Sequence, residues 1–384
     1  MTKQYRADFH VHTKFIEDSF KVYGNKSRLV DLIKSSWKTL LKGLFVKRTV
    51  YKKFRPKSDL AILDALKIPE SSLEPEEAVE CALNNEMTFV PITNHNDVDV
   101  AIYLNKKFPG KILIGEEISV MIEKKRIVHI LVYFLNCSKG ELTYSSEDIR
   151  LIRQIHEQFQ NYRENLQALF LFLKKYDFIR ITCAHPFSKT AFSRFIFTKG
   201  QEIDRQLIRL IVENCDCIEI FNGSYSELEN YLAREFALKY GLGYSAGSDA
   251  HEKINDIERG IISMPGSTYV EAEAKDIADF FNQMKRRRIR IVGTKYKLDK
   301  VRGLIAKKYF IHWSHITNRI DRAVKPLSHI IFVYGMASHF AGYRNKLKTL
   351  AKKMGLHYRK YLREEFNEVV DIRKVNVDSR NVKK

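Results

Sequence analysis

Asp8-Phe9-His10-Val11-His12, the stretch DFHVH near the start of the chain, sets two imidazoles two residues apart among apolar neighbours. Side chains along an extended strand alternate between faces, so Phe9 and Val11 fall on one side and His10 and His12 on the other. Two imidazoles on one face can share a cation. An HxH pair alone is also the spelling of two ordinary polar strand residues, so its weight comes from what recurs downstream.

Histidines and acids recur at the ends of further apolar runs. Thr93-Asn94-His95 closes the run that starts at Thr88, and Gly115-Glu116-Glu117 follows Lys111 to Ile114. The two oxygens of Glu117 suit it to bridge a pair of cations, with a solvated loop acid as the plainer alternative. His129 sits inside IVHILVYF, where a buried imidazole needs a partner for each ring nitrogen; ligand and satisfied core histidine both meet that need. Ala184-His185-Pro186 closes another run, and Gly247-Ser248-Asp249-Ala250-His251 places an acid and an imidazole two apart behind a Gly/Ser turn. Of the seven histidines before His312, only His156 falls in a helical segment, as an expected surface residue. Imidazole and carboxylate ligands without a thiolate suit Zn, Mn or Fe better than Ca or Mg alone.

The alternation of strand-like and helix-like segments predicts a parallel α/β domain. Strands are expected at Tyr5 to Val11, Thr88 to Thr93, Lys111 to Ile114, Arg126 to Leu135, Phe178 to Ala184, Asp216 to Phe221 and Ile289 to Gly293. Helices are expected at Pro75 to Asn84, which opens on Pro and acids, and after Ser226, which forms a capping box with Glu229 and leads to a helix ending near Gly241. Two segments interrupt the pattern, a basic insertion at about 20–70 and a basic, mostly helical extension.

The order HxH, TxH, GxE, H, AHP, GSDxH resembles that of the PHP (polymerase and histidinol phosphatase) family of metal-dependent phosphoesterases, over about residues 5–295. The resemblance implies an α/β fold, a distorted (β/α)7 barrel spanning residues 1–298, followed by the extension at 299–384. It further implies two or three divalent ions, Mn, Zn or Fe, at the carboxyl ends of the strands. Carried over residue by residue, one ion takes His10, His12, Glu117 and Asp249, and Glu117 bridges to a second held by His129 and His185. A third takes His95, His251 and an acid of the first motif. The family has Asp five residues beyond HxH; here Glu17 stands there with Asp18 next, and Asp18 is preferred for its ligand type. The family's TDH is TNH, so Asn94 changes hydrogen bonding around the ligands rather than their number.

The chemistry implied is attack of water on a phosphomonoester or phosphodiester, with Asp249 or His251 passing the proton to the leaving group. Lys14, Arg126, Lys189 and Arg194 are candidate phosphate-binding cations. A nuclease or nucleotide phosphatase, and a non-catalytic metal-binding scaffold, are the alternatives. Glu219 and Asn222 of EIFNG resemble a family strand end, as pocket lining or as structural residues. Cys215 and Cys217, Lys285 to Arg290, and His312 with His315 carry no metal or catalytic assignment.

The chain has 384 residues, 45% hydrophobic and 29% charged, and so is too apolar to be disordered. Five cysteines without a CxxC pair fit free thiols in a reducing compartment, and the first residues lack the apolar core of a signal peptide, so a cytoplasmic protein is expected. Pro326 to Tyr343 is uncharged but holds two His, two Gly and a Pro, which disfavours a spanning helix. The net charge of +20 is concentrated: residues 281–384 carry 27 Lys+Arg against 7 Asp+Glu. In the insertion, Leu29, Ile33, Trp37, Leu41 and Leu44 lie opposite Lys34, Lys38 and Lys42 at helical spacing. An apolar stripe beside a basic face predicts peripheral docking on an anionic membrane, in preference to nucleic acid.

Overall fold

The computed structural model describes residues 2–13, 71, 73–123, 126–135, 142–187, 204–225, 227–251 and 264–293, together with 352, 353 and 355. The insertion at 20–70, all but those last three residues of the extension, and Lys14, Glu17, Asp18, Lys189 and Arg194 lie outside the described residues.

Nine strands and seven α-helices fall among the described residues. The strands are β1 (Lys3–Ala7), β2 (Val90–Ile92), β3 (Ile112–Glu123), β4 (Arg126–Phe134), β5 (Ile179–Cys183), β6 (Cys217–Asn222), β7 (Gly243–Gly247), β8 (Tyr269–Ala274) and β9 (Arg290–Val292). The helices are α1 (Pro75–Asn84), α2 (Asp99–Lys107), α3 (Ser146–Phe159), α4 (Leu166–Leu173), α5 (Arg205–Asn214), α6 (Glu227–Tyr240) and α7 (Ile277–Lys285). Pro75 opens α1 with Glu76 and Glu77 in its first turn, where acids meet the positive end of the helix. Asn165, Asp204 and Asp276 cap α4, α5 and α7 through side-chain oxygens. Gly241, at φ +71, ends α6, and the chain turns there into β7.

Strands β2 to β7 form one sheet in sequence order. The pairs β2/β3, β5/β6 and β6/β7 are parallel, whereas β3/β4 and β4/β5 are antiparallel. This corrects the expected all-parallel alternation. Parallel neighbours need a crossover of about a dozen residues or more, and only residues 124–125 separate β3 from β4, a link that suffices only for a hairpin. The expected strand at Lys111 to Ile114 therefore runs on to Glu123, and Glu116 and Glu117 lie inside it rather than after it. Strands β7 and β8 were not among those expected. GYSAG in β7 is too poor in β-branched and aromatic residues to signal a strand.

The segment around DFHVH joins the two edges of this sheet. Arg6 O accepts from Thr88 N at 2.8 Å and Val11 O from Thr93 N at 3.0 Å, on the β2 side. On the β7 side, Phe9 N donates to Ala246 O and His12 N to Ala250 O, both at 3.1 Å, and Val11 bridges Ala250 in parallel. Earlier in the segment, β1 pairs antiparallel with β8, which pairs with β9. Tyr5, Ala7, Phe9 and Val11 alternate into the core. Phe9 meets Tyr133 edge-on at 5.4 Å and Phe281 at 5.3 Å between ring centroids, and the Tyr133 hydroxyl donates to Phe9 O at 2.7 Å. Such aromatic pairs contribute roughly 0.5–1.5 kcal/mol each beyond area burial.

His156, expected at the surface, is half-buried: α3 turns it onto the sheet, where Nδ1 meets Glu116 Oε2 at 2.9 Å. Glu116 and Glu117 point to opposite faces of β3, so Glu116 needs a partner behind the sheet. Burial works against the imidazolium, but the Glu116 carboxylate outweighs it and lifts the His156 pKa from 6.5 to about 8. A raised folded-state pKa adds stability in full below about pH 6.5, and that increment is lost as pH rises through 8. The expected increment is on the order of 1–2 kcal/mol. Melting the wild type and His156→Gln from pH 6 to 9 checks this, the stability gap between them closing as pH rises; a gap independent of pH would contradict it.

Candidate metal centre

Strand ends and two strand interiors deliver eight side chains to a single buried cluster. His10 and His12 come from the segment after β1, His95 from just after β2, Glu117 from within β3, His129 from β4, His185 from just after β5, and Asp249 and His251 from the turn after β7. All eight are at most 9% exposed.

Glu117 stands at the centre. Its Oε2 lies 3.0 Å from His10 Nε2, 3.1 Å from His12 Nε2 and 3.1 Å from His95 Nε2. Its Oε1 lies 2.8 Å from His129 Nδ1 and 3.1 Å from His185 Nε2. Asp249 Oδ1 approaches His10 Nε2 at 3.6 Å, His12 Nε2 at 3.5 Å and His251 Nδ1 at 3.4 Å. Four three-residue groups have ligand atoms close enough for one ion: His10, His12 and Asp249; His10, Glu117 and His185; His95, Glu117 and His129; and His12, His95 and His251.

The last of these groups takes His12 as its third member. Asp18, the acid expected there, lies outside the described residues. Arg126 opens β4, three residues before His129. Asn94 bonds Thr13, accepting from its backbone N–H at 2.8 Å.

The donor set fits a cation. A neutral imidazole carries one proton, and the Nε2 atoms of His10 and His12 lie 2.9 Å apart beside a carboxylate oxygen. Two lone pairs at that separation repel unless positive charge lies between them. Nε2 of His129 and Nδ1 of His185 are buried and find no hydrogen-bond partner among the described residues. The electrostatics agree. Burial opposes ionisation of Glu117, but His95, His129 and His10 hold its pKa well below the carboxylate range; Asp249 is likewise lowered against its burial by His10 and His251. Burial also opposes charge on His10, yet Glu219, Glu117 and Asp249 raise its pKa well above the ordinary value. Burial and the neighbouring His251 push His12 the other way. The pocket is thus built to hold positive charge against fixed carboxylates, and to do so away from water.

Backbone packing supplies the precision. Asp8, which the motif reading passed over, accepts from Ser248 N and Gly266 N, both at 2.8 Å, and from His10 N at 3.3 Å, so it ties the first motif to the last. Burial raises its pKa to about 7. Asp249 N donates to His10 O at 2.7 Å from the left-handed region, at φ +52, which Asp tolerates better than most residues. At Gly247 a Cβ would fall 2.5 Å from His10 N and closer still to His10 Cβ.

No protein-family model and no curated protein matches the chain. Solved structures resemble it in part, two of them as follows. One is described as a candidate metal-dependent phosphoesterase from Bifidobacterium adolescentis, 16% identical, covering 47% of this chain and 84% of its own, with a TM-score of 0.33. The other is an amidohydrolase from Chromobacterium violaceum with bound sulfate and no metal, 17% identical, covering 49% and 85%, with a TM-score of 0.32. Likenesses this distant carry no weight for the site, which rests on its own side chains.

Gly247→Ala should therefore push the His10 backbone out of register, at a cost of about 1–3 kcal/mol for overpacking, and weaken zinc uptake by the folded protein. Thermal melts and zinc titration test this; wild-type behaviour in both would contradict the close approach.

Proposed function

We propose that this chain is a metal-dependent phosphoester hydrolase of the PHP type, its catalytic part spanning residues 1–298 and closing as a distorted (β/α)7 barrel in which the DFHVH segment is the seventh member. The observation that carries this reading is Glu117, whose two oxygens each face a separate set of imidazoles. A carboxylate so placed suits a bridge between two ions. His10, His12 and Asp249 would hold one of them, His129 and His185 the other, and His95 and His251 would contribute to a third, with Asp18 as its proposed acid. The phosphoester assignment is supported by the order of the six motifs.

Bound there, divalent Mn, Zn or Fe would bring a bound water close to ionisation at neutral pH and would supply charge to neutralise phosphate oxygens. The chain's own residues do the rest. His251 Nδ1 lies 2.9 Å from the Asp249 carbonyl oxygen, which accepts and so fixes the proton on Nδ1. Nε2 is then left in the unprotonated form, suited to ligation or to taking a proton. Lys14, Arg126, Lys189 and Arg194 remain the proposed phosphate-binding cations. Burial of the acids and imidazoles keeps competing water from screening them.

A second reading, cleavage of nucleic acid, is favoured by the charge of residues 281–384, 27 Lys+Arg against 7 Asp+Glu. The same excess supports peripheral docking of a cytoplasmic enzyme on an anionic membrane, where each basic residue near the surface contributes on the order of 1 kcal/mol. No described helix is long and apolar enough to cross a membrane.

The test uses the full chain reconstituted separately with Mn, Zn and Fe and assayed on an aryl phosphate monoester, a diester and single-stranded nucleic acid. At least two ions per chain are expected, with activity abolished by a chelator and lowered roughly a hundredfold or more in Glu117→Gln, since losing even an outer partner of a ligand costs about 10–100-fold. Fewer than one ion per chain would overturn the reading. Turnover of nucleic acid alone would select the nuclease.

A further inference from the structure

We propose that Glu219 is a positioning residue that sets the tautomer and ring orientation of His10 and ties His10 to the His185 and Asp249 arms, so that the cluster is pre-formed for its ions. This rests on the metal-centre reading above. Glu219 lies on β6, buried behind the cluster, and none of the four close-set groups includes it.

Two fixed donors and one imidazole nitrogen surround its carboxylate. Glu219 Oε1 lies 2.9 Å from His10 Nδ1. Oε2 accepts the backbone N–H of His185 at 2.8 Å and the side-chain amide of Asn222 at 3.1 Å. The same Asn222 nitrogen lies 3.3 Å from Asp249 Oδ2. A carboxylate has only lone pairs to offer, so the His10 nitrogen that faces it carries the proton. His10 Nε2 then turns a lone pair toward Glu117 and His12, which is the form a ligand requires. Glu219 also holds the backbone of His185 at φ +22, just ahead of Pro186, a position where the α region is disfavoured.

Glutamine has the shape of glutamate but replaces one of its two acceptor oxygens with an NH2 donor. With its NH2 at the Oε2 position it meets two donors. Flipped, it presents the NH2 to His10 Nδ1, which must then give up its proton, and the ring moves to the Nε2–H tautomer that cannot ligate through Nε2. The first orientation leaves two donors unsatisfied, and the second satisfies all three neighbours only at the cost of the His10 tautomer that ligation through Nε2 requires. Reduced volume or lost packing cannot explain an effect of Glu219→Gln, since the two side chains are isosteric.

The experiment is zinc titration of the full chain together with nitrogen-15 histidine spectra of the zinc-loaded protein. In the wild type, His10 should be ligated through Nε2 and carry a strongly hydrogen-bonded proton on Nδ1. Glu219→Gln should bind zinc about 10–100-fold more weakly while keeping the wild-type circular dichroism. Leu173→Ala, buried in α4 outside the cluster, should lower the melting temperature and leave zinc affinity unchanged. Wild-type zinc affinity in folded Glu219→Gln, or a wild-type His10 ligated through Nδ1, would overturn the proposal; the second outcome is read without any variant having to fold. Absence of zinc uptake by the wild type would overturn the metal-centre reading and this inference with it, whereas equal uptake by both proteins removes the role of Glu219 alone.

Discussion

A carboxylate with no exposed surface, Glu117, is surrounded by five imidazoles, and the rest of the site is arranged around the need to balance its charge. An isolated buried carboxylate would be strongly destabilising and would protonate instead. Here the neighbouring rings hold it ionised against burial. The same arrangement crowds imidazole nitrogens together, so positive charge is needed between them as well. Protons can provide part of that charge, but metal ions satisfy acids and imidazoles at once.

The scaffold meets this constraint through backbone pairing rather than through the loops alone. Phe9 and its aromatic partners anchor one face of the DFHVH segment while His10 and His12 occupy the other. Hydrogen bonds from residues 6–12 to both edges of the curled sheet bring the first motif, TNH and GSDAH to one place. The β3–β4 hairpin then carries Glu117 and His129 in as strand residues, with a register that pairs Ser119 with His129. A side chain on a paired strand has little freedom to drift, which suits a cluster whose geometry must be preset.

Much of this was legible from residue spelling. HxH, TNH, AHP and GSDAH mark the ends of runs that the structure shows as strands or their continuations, and period-2 alternation put His10 and His12 on one face. What stayed hidden depends on contacts distant in sequence. The hairpin was masked because a strand end followed by Gly reads the same whether or not the strand continues. Strand β7 was masked by its small residues, and Gly247 shows why they are small: His10 passes where a side chain would be. His156 looked like a surface residue because helical periodicity says nothing of an acid 40 residues earlier on the opposite face of a strand. Asp8 and Glu219 gave no sign of their partners, since hydrogen bonds spanning 240 and 209 residues have no local signature.

Anomalous diffraction from crystals of the manganese-loaded protein tests the central claim most directly. Separate anomalous peaks are predicted on the two sides of the Glu117 carboxylate, one beside His10, His12 and Asp249 and one beside His129 and His185. A carboxylate contacted only by protonated imidazoles, with no peak on either side at saturating manganese, would contradict it.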